Sequence, residues 1–338
     1  MTTVTDIAGQ SRTRTRDWAL LWERYGITAV LVICWILAAI FVPNFATAPN
    51  LQNVLRTASF VGVAAVGMTI AIISGTFDLS VGSTLALAAI AAVWTGSQFG
   101  VVASILAGLA VGVAVGAING ILVARVRIPA FIATLGMMFV VSGFTLVVTG
   151  GNPFAYNVPS FIWMGNGDIL GLPVPFIIFL VCALVGEGVL RRMVFGRQVF
   201  ATGSNATAAK IAGVPVQRVT GLIFIVVGLF TGIAAVLVAA RLYSARPGLE
   251  PGFELRVIAA VVLGGTRLQG GRGGMLGTVA AAVLFATLGN VLNLLHADAF
   301  WQKVVEGLVL LVALSIEGIR QRVEERMSRQ LHEVKEGG

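Results

Sequence analysis

Residues 191–218 read RRMVFGRQVFATGSNATAAKIAGVPVQR. The stretch carries five basic residues (Arg191, Arg192, Arg197, Lys210 and Arg218) and no acidic one, and long apolar runs flank it on both sides. Its middle is punctuated as a short helix. Ser204 or Asn205 can cap the N-terminus, because a short side-chain oxygen accepts a bond from a free backbone N–H. Residues 206–212 are rich in strong helix formers. Gly213 suits the left-handed position after the last turn, and Pro215 stops continuation. A small alanine-rich helix held between apolar runs predicts a surface for another protein.

The flanking runs dominate the chain. Its 338 residues are 57% hydrophobic and 11% charged, with mean hydropathy +0.93, whereas a soluble domain carries about 25% charge. This is an integral membrane protein. Ten apolar runs occupy about 27–42, 53–74, 81–96, 101–124, 130–149, 174–190, 219–240, 255–264, 276–295 and 302–317. An apolar helix needs roughly 20 residues to cross the hydrocarbon, so 255–264 is read as a half-helix sheltered by other segments. The expected architecture is all-α: a polytopic helix bundle of about ten transmembrane segments with broken or half helices. A tail at 1–25 precedes the membrane domain (26–317), and another follows at 318–338. The basic start, the first apolar run and Ala46-Thr47-Ala48 also suit a secretory signal; the span count favours an uncleaved first span.

Charge placement sets the orientation. An internal N-terminus with ten alternating crossings puts all but five of the 23 Lys and Arg inside; the exceptions are Arg56, Arg241, Arg246, Arg256 and Lys303. The long loop 150–173 falls outside and has no Lys or Arg. This bias predicts both termini, and the 191–218 stretch, in the cytoplasm. It also accounts for the net charge of +8 without nucleic acid.

Polar groups at membrane depth are few. SGTFDLSVGS (74–83) interrupts apolar sequence with glycines, hydroxyls and Asp78, which either caps the next helix or touches a hydroxylated solute. A second irregular stretch, PGLEPGFELR (247–256), contains Gly-Phe-Glu-Leu, an echo of Thr76-Phe77-Asp78-Leu79. In the ten-span arrangement the two face opposite sides, as in transporters built from inverted repeats with broken helices; chance accounts for four residues equally well. Gly112, Gly116 and Gly120 permit close helix contact, within one subunit or between two. LGGTRLQGGRGGMLG (263–277) lacks the lysine of a P-loop and reads as a tight turn, so the chain shows no nucleotide-hydrolysing site. Cys34 and Cys182 sit in apolar runs as packing residues. Glu187 with Arg191, and Lys303 with Glu306, are spaced to pair along a helix. No metal-spaced cluster and no nucleophile–base constellation is present, so the chain is not expected to be an enzyme.

Phe77-Asp78-Leu79-Ser80-Val81-Gly82-Ser83, Phe131-Ile132-Ala133-Thr134-Leu135-Gly136-Met137-Met138 and Ala259-Ala260-Val261-Val262-Leu263-Gly264-Gly265-Thr266 together resemble the ribose-type permease subunits of bacterial ABC importers. The resemblance runs from about residue 27 to 317. It implies a bacterial inner-membrane channel of two permease subunits, homo- or heterodimeric. It also implies a cytoplasmic ATPase that binds ATP and Mg, an external solute-binding protein, no cofactor in this chain, and a monosaccharide or similar polyol as cargo. Gly203, Ala208, Ala209 and Gly213 match the family's coupling loop, so Gly203, Asn205, Ala208, Ala209, Lys210 and Gly213 are the expected ATPase-coupling residues. Asp78, Ser80, Ser83, Phe253 and Glu254 are the translocation-path candidates. Alternatives are a nucleoside or branched-chain amino acid permease and, more distantly, an ion-driven secondary transporter, against which the scarcity of ionisable groups in the spans speaks.

Overall fold

The computed structural model describes residues 26–298 and, beyond them, 300, 301, 303–305, 307–309, 311, 312 and 315, all of these last helical. Both tails, Glu306 and part of the tenth run lie outside the described residues. The nine runs before it are all helical: α1 (Gly26–Phe41), α2 (Ala48–Ile73), α3 (Val81–Phe99), α4 (Val101–Ala124), α5 (Ala130–Thr149), α7 (Val174–Arg192), α10 (Val216–Leu242), α11 (Phe253–Leu263) and α12 (Met275–Leu294). Between α5 and α7 lies α6 (Pro159–Asn166), and between α7 and α10 lie α8 (Val194–Ser204) and α9 (Ala206–Ile211). Helix is forced at these places because lipid offers the backbone no hydrogen bonds.

Among the described residues six helices are long and apolar enough to cross a membrane alone: α2, α4, α5, α7, α10 and α12. The expected ten therefore divide. The apolar part of α1 is short, α3 is long enough but carries more polar residues, and α11 has only 11 residues. The all-helical expectation also missed two small antiparallel pairings, β1 (Phe154–Ala155) with β4 (Ser244–Ala245) and β2 (Asp168–Ile169) with β3 (Leu172–Pro173). They brace the long loop at one end of the bundle.

The centre is α2 packed on α10, with α3 and α4 against α10 and α11, α12 and α7 against α2. The Gly112–Gly116–Gly120 stripe is spent inside the subunit. A methyl on Gly112 would meet the Gly228 carbonyl, one on Gly116 the Phe224 carbonyl, and one on Gly120 would come 2.7 Å from the Gly221 carbonyl. Lipid is as apolar as leucine, so close backbone packing rather than hydrophobic contrast holds such helices together. Polar clasps add to it: Asn50 and Asn290 exchange amide bonds of 3.0 and 2.7 Å between α2 and α12, and Trp35 Nε1 donates to Thr287 Oγ1 at 2.9 Å. Cys34 and Cys182 are both free thiols, the latter buried.

The joins assigned to one side by charge gather at one end. Residues 73–75, 203–204 and 269–271 are in contact there, and Arg127 lines a cavity with α9. The 150–173 loop and the 244–245 strand lie at the other end, where Arg56 pairs with Asp168 at 2.6 Å and Arg241 donates to Asn166 and to Asn53.

Candidate functional site

Two features stand out: a polar pocket where the irregular stretches meet, and the capped helix α9. The first begins where α2 stops. Ser74 turns its hydroxyl back onto Ala71 O at 2.7 Å, and Gly75 adopts φ +81°, a left-handed conformation that a side chain resists. The chain then runs irregularly until Val81. Asp78, 3% exposed, accepts from Ser80 N at 2.7 Å and from Ser80 Oγ at 2.6 Å, while Asn119 Nδ2 on α4 donates to Asp78 Oδ2 at 3.0 Å and to Ser80 Oγ at 2.9 Å. The carboxylate thus holds the N–H just before α3 rather than one in its first turn, and it ties the break to α4.

The second break converges on the first. Gly252, at φ +77°, starts α11 with Phe253 buried and Glu254 in the first turn. A methyl on Gly82 would strike the Glu254 carboxylate and lie 3.6 Å from Phe253 Cβ, so the start of α11 packs directly on the start of α3. Beside this contact lies a pocket of about 190 Å³ whose polar lining is Ser83, Ser142, Thr145, Glu250 and Glu254. Glu250 also pairs with Arg256 at 2.5 Å. Of the sequence candidates, Ser83 and Glu254 line the pocket. Asp78, Ser80 and Phe253 lie outside that lining and are each no more than 3% exposed. Sequence reasoning missed Ser142, Thr145 and Glu250. The available signal was two hydroxyls three residues apart on an otherwise apolar helix, and an acid already inside the quoted 247–256 stretch. Carboxylates and hydroxyls in this arrangement can accept and donate hydrogen bonds to a small hydroxylated solute, and no cation lines the pocket.

At the joined end, α9 has the punctuation read from sequence. Asn205, with extended backbone, accepts from Ala208 N at 2.9 Å, which selects it over Ser204 as the cap. Gly213 sits at φ +83°, its N–H bonded to Lys210 O, and Val214 N bonds Ala209 O, the paired closure that spends the free carbonyls of a helix end. Asn205, Ala208, Lys210 and Gly213 are exposed, as is Ile211 at 84%, while Ala209 is buried. Gly203 faces inward: a methyl there would strike Ile73 O. Gly271 N donates to that same carbonyl at 2.8 Å, and a methyl on Gly270 would lie 2.8 Å from Gly75 N. The end of α8, the break after α2 and the glycine-rich turn after α11 therefore form one backbone junction, and its far arms lead to the two helix starts that meet at the pocket. Arg191 Nε pairs with Glu187 at 2.9 Å, as spaced in sequence, and the second oxygen of Glu187 accepts from Met275 N at 3.1 Å, capping α12.

Residues 50–314 match the family described as branched-chain amino acid transport system permease component, and the chain belongs to that family of ABC importer permeases. It is 39% identical over 326 residues to the ribose import permease protein RbsC of Escherichia coli, covering 95% of this chain and all of the relative. It is 38% identical over 305 residues to the L-arabinose transport system permease protein AraH of Escherichia coli, covering 90% and 93%. It is 40% identical over 301 residues to the ribose import permease protein RbsC of Bacillus subtilis, covering 87% and 92%. No solved structure matches the chain. It is a multi-pass inner-membrane permease, and such subunits are not themselves catalytic.

Proposed function

We propose that this chain is the permease subunit of an ATP-driven importer for a monosaccharide or related polyol. The observation that carries the reading is end-to-end similarity, at 39% identity, to a permease named for ribose; the pocket's hydroxyl and carboxylate lining suits the same solute class. Two such subunits form the path, with ten crossings each and both termini cytoplasmic. A solute-binding protein delivers cargo at the end bearing the 150–173 loop. A cytoplasmic ATPase, binding ATP and Mg, docks on the exposed side of α9 at Asn205, Ala208, Lys210 and Ile211. Its two states must contact α9 differently, because a partner shifts a conformational equilibrium only through differential affinity. Gly203 and Ala209 hold α9 in place from inside, and the glycine junction carries its displacement to the starts of α3 and α11, opening or closing the pocket.

The test is to replace Ala208 with Glu in the assembled transporter. The full chain should insert and reach the membrane at wild-type level, while sugar uptake and solute-stimulated ATP hydrolysis fall at least tenfold. Wild-type coupling in that variant would overturn the docking assignment. The second reading, a branched-chain amino acid permease, is favoured by the family's description. The pocket lining carries two carboxylates and no cation, which suits a polyol better than an amino acid's carboxylate. Uptake competition by ribose, arabinose and leucine separates the two.

A further inference from the structure

Between the ends of α4 and α10 lies a slot of about 600 Å³. Its walls are mainly apolar: Ala117, Gly120 and Ile121 from α4, Gly221, Leu222 and Ile225 from α10. Ile121 and Leu222 are each half exposed, at 50% and 49%, so the slot opens onto the outer surface of the bundle. It is open beside Gly221, which supplies no side chain to fill it: a Cβ there would meet only Ala124 Cβ, at 3.9 Å. Arg125 and Arg218 close it at one end, and Arg218 also lines an adjoining cavity of about 860 Å³ with Arg127 and Lys210. No carboxylate lines either cavity, and none of the four cations has an ion pair among the described residues.

The geometry points to a binding site for one anionic phospholipid, with its phosphate headgroup among Arg125, Arg127 and Arg218 and an acyl chain in the slot beside Gly221. α4 is long enough to cross the membrane and ends at Ala124, which puts Arg125 at the boundary between hydrocarbon and water, the depth of a headgroup. A guanidinium fork matches phosphate oxygens, and an acyl chain is the ligand part that gains nothing from water and fits an apolar groove. The orientation bias accounts for cations on this side of the membrane. It does not account for Arg218 being shared between an apolar slot and a cavity rimmed by two more cations. The inference is independent of the transported solute.

The full-length chain is reconstituted in vesicles of equal phosphatidylglycerol and phosphatidylcholine, extracted in mild detergent, and its retained lipid counted by native mass spectrometry. Wild type should retain phosphatidylglycerol preferentially. The Arg125→Gln/Arg218→Gln double variant should lower that retention on the order of 10- to 30-fold, the effect of two near-surface cations. Gly221→Leu fills the slot, since a Cβ there meets only Ala124 Cβ at 3.9 Å; it should lose the lipid with every charge kept. Equal retention of the two lipids by wild type would overturn the site. So would undiminished phosphatidylglycerol in Gly221→Leu, which would reduce the effect to surface charge, or displacement by millimolar inorganic phosphate, which would make it a free-anion site. Loss of ATPase capture in the arginine variant with lipid retention intact would assign the cations to the ATPase instead.

Discussion

The two ends of the bundle are held together differently. At the end bearing the 150–173 loop, side chains do the tying: Arg56 to Asp168, Arg241 to Asn166 and Asn53, and Arg256 to Glu250. At the α9 end, beside the Glu187 clasp on Arg191 and Met275, there is a backbone-against-backbone junction, with Gly203, Gly270 and Gly271 pressed onto Ile73 and Gly75, while Arg125, Arg127, Lys210 and Arg218 have no ion pair among the described residues. Two of the five cations that break the orientation bias, Arg56 and Arg256, are thus neutralised in place, and a third, Arg241, is held by neutral amides. The contrast teaches that a charge engaged within the subunit is spent, whereas a bare one is available to something outside it. At the α9 end the glycine junction makes contact without drawing on Arg125, Arg127, Lys210 or Arg218.

The largest test of this contrast is Gly203→Val. The added Cβ lands on the Ile73 carbonyl and beside Gly271 N, and overpacking typically costs about 1–3 kcal/mol and sometimes more; thermal unfolding in detergent should show a clear loss of folded protein. Arg241→Ala comes next. It removes the partner of the half-buried Asn166 and Asn53 oxygens, at about 1 kcal/mol or more, read as a lowered unfolding midpoint. Asn205→Ala removes only the cap of α9, at about 1 kcal/mol, and should loosen amide-exchange protection over 206–211 while leaving the opposite end unchanged. The smallest effect is expected for Arg127→Gln. A bare surface charge contributes within about ±0.5 kcal/mol, so the midpoint should hold; a drop as large as that of Arg241→Ala would break the distinction between the two ends.

Much of the fold was legible in the linear chain, to differing depth. The apolar runs predicted α4 and α5 to the residue and the others to within a few, because only a hydrogen-bonded helix survives in lipid. The cap of α9 was legible because capping is local: three residues separate Asn205 from the N–H that it holds. The pocket was legible only in part: Ser83 and Glu254 were singled out from their broken stretches, but their meeting, and the part played by Ser142 and Thr145 on another helix, was not, since the lining comes from distant elements. Asp78 was noticed for its charge, but its partner Asn119 lies 41 residues away on a helix whose sequence gives no sign of the bond. The glycine stripe of α4 was noticed too, and its spacing fits a seam inside the subunit as well as one between subunits.

Sequence alone therefore determined that this chain is a bundle of membrane helices, which end of it carries the basic joins, and that a short capped helix stands at that end. Each follows from a local rule: backbone satisfaction, charge retention on one side, and termini that need partners. Only the tertiary structure decided that α4 closes on α10, that the starts of α3 and α11 meet at one pocket, and that three glycine-bearing joins share a single carbonyl. Helix faces in lipid carry no contrast between apolar and polar to announce what they pack against, so their pairing is settled by shape, which becomes visible only once the backbones are side by side.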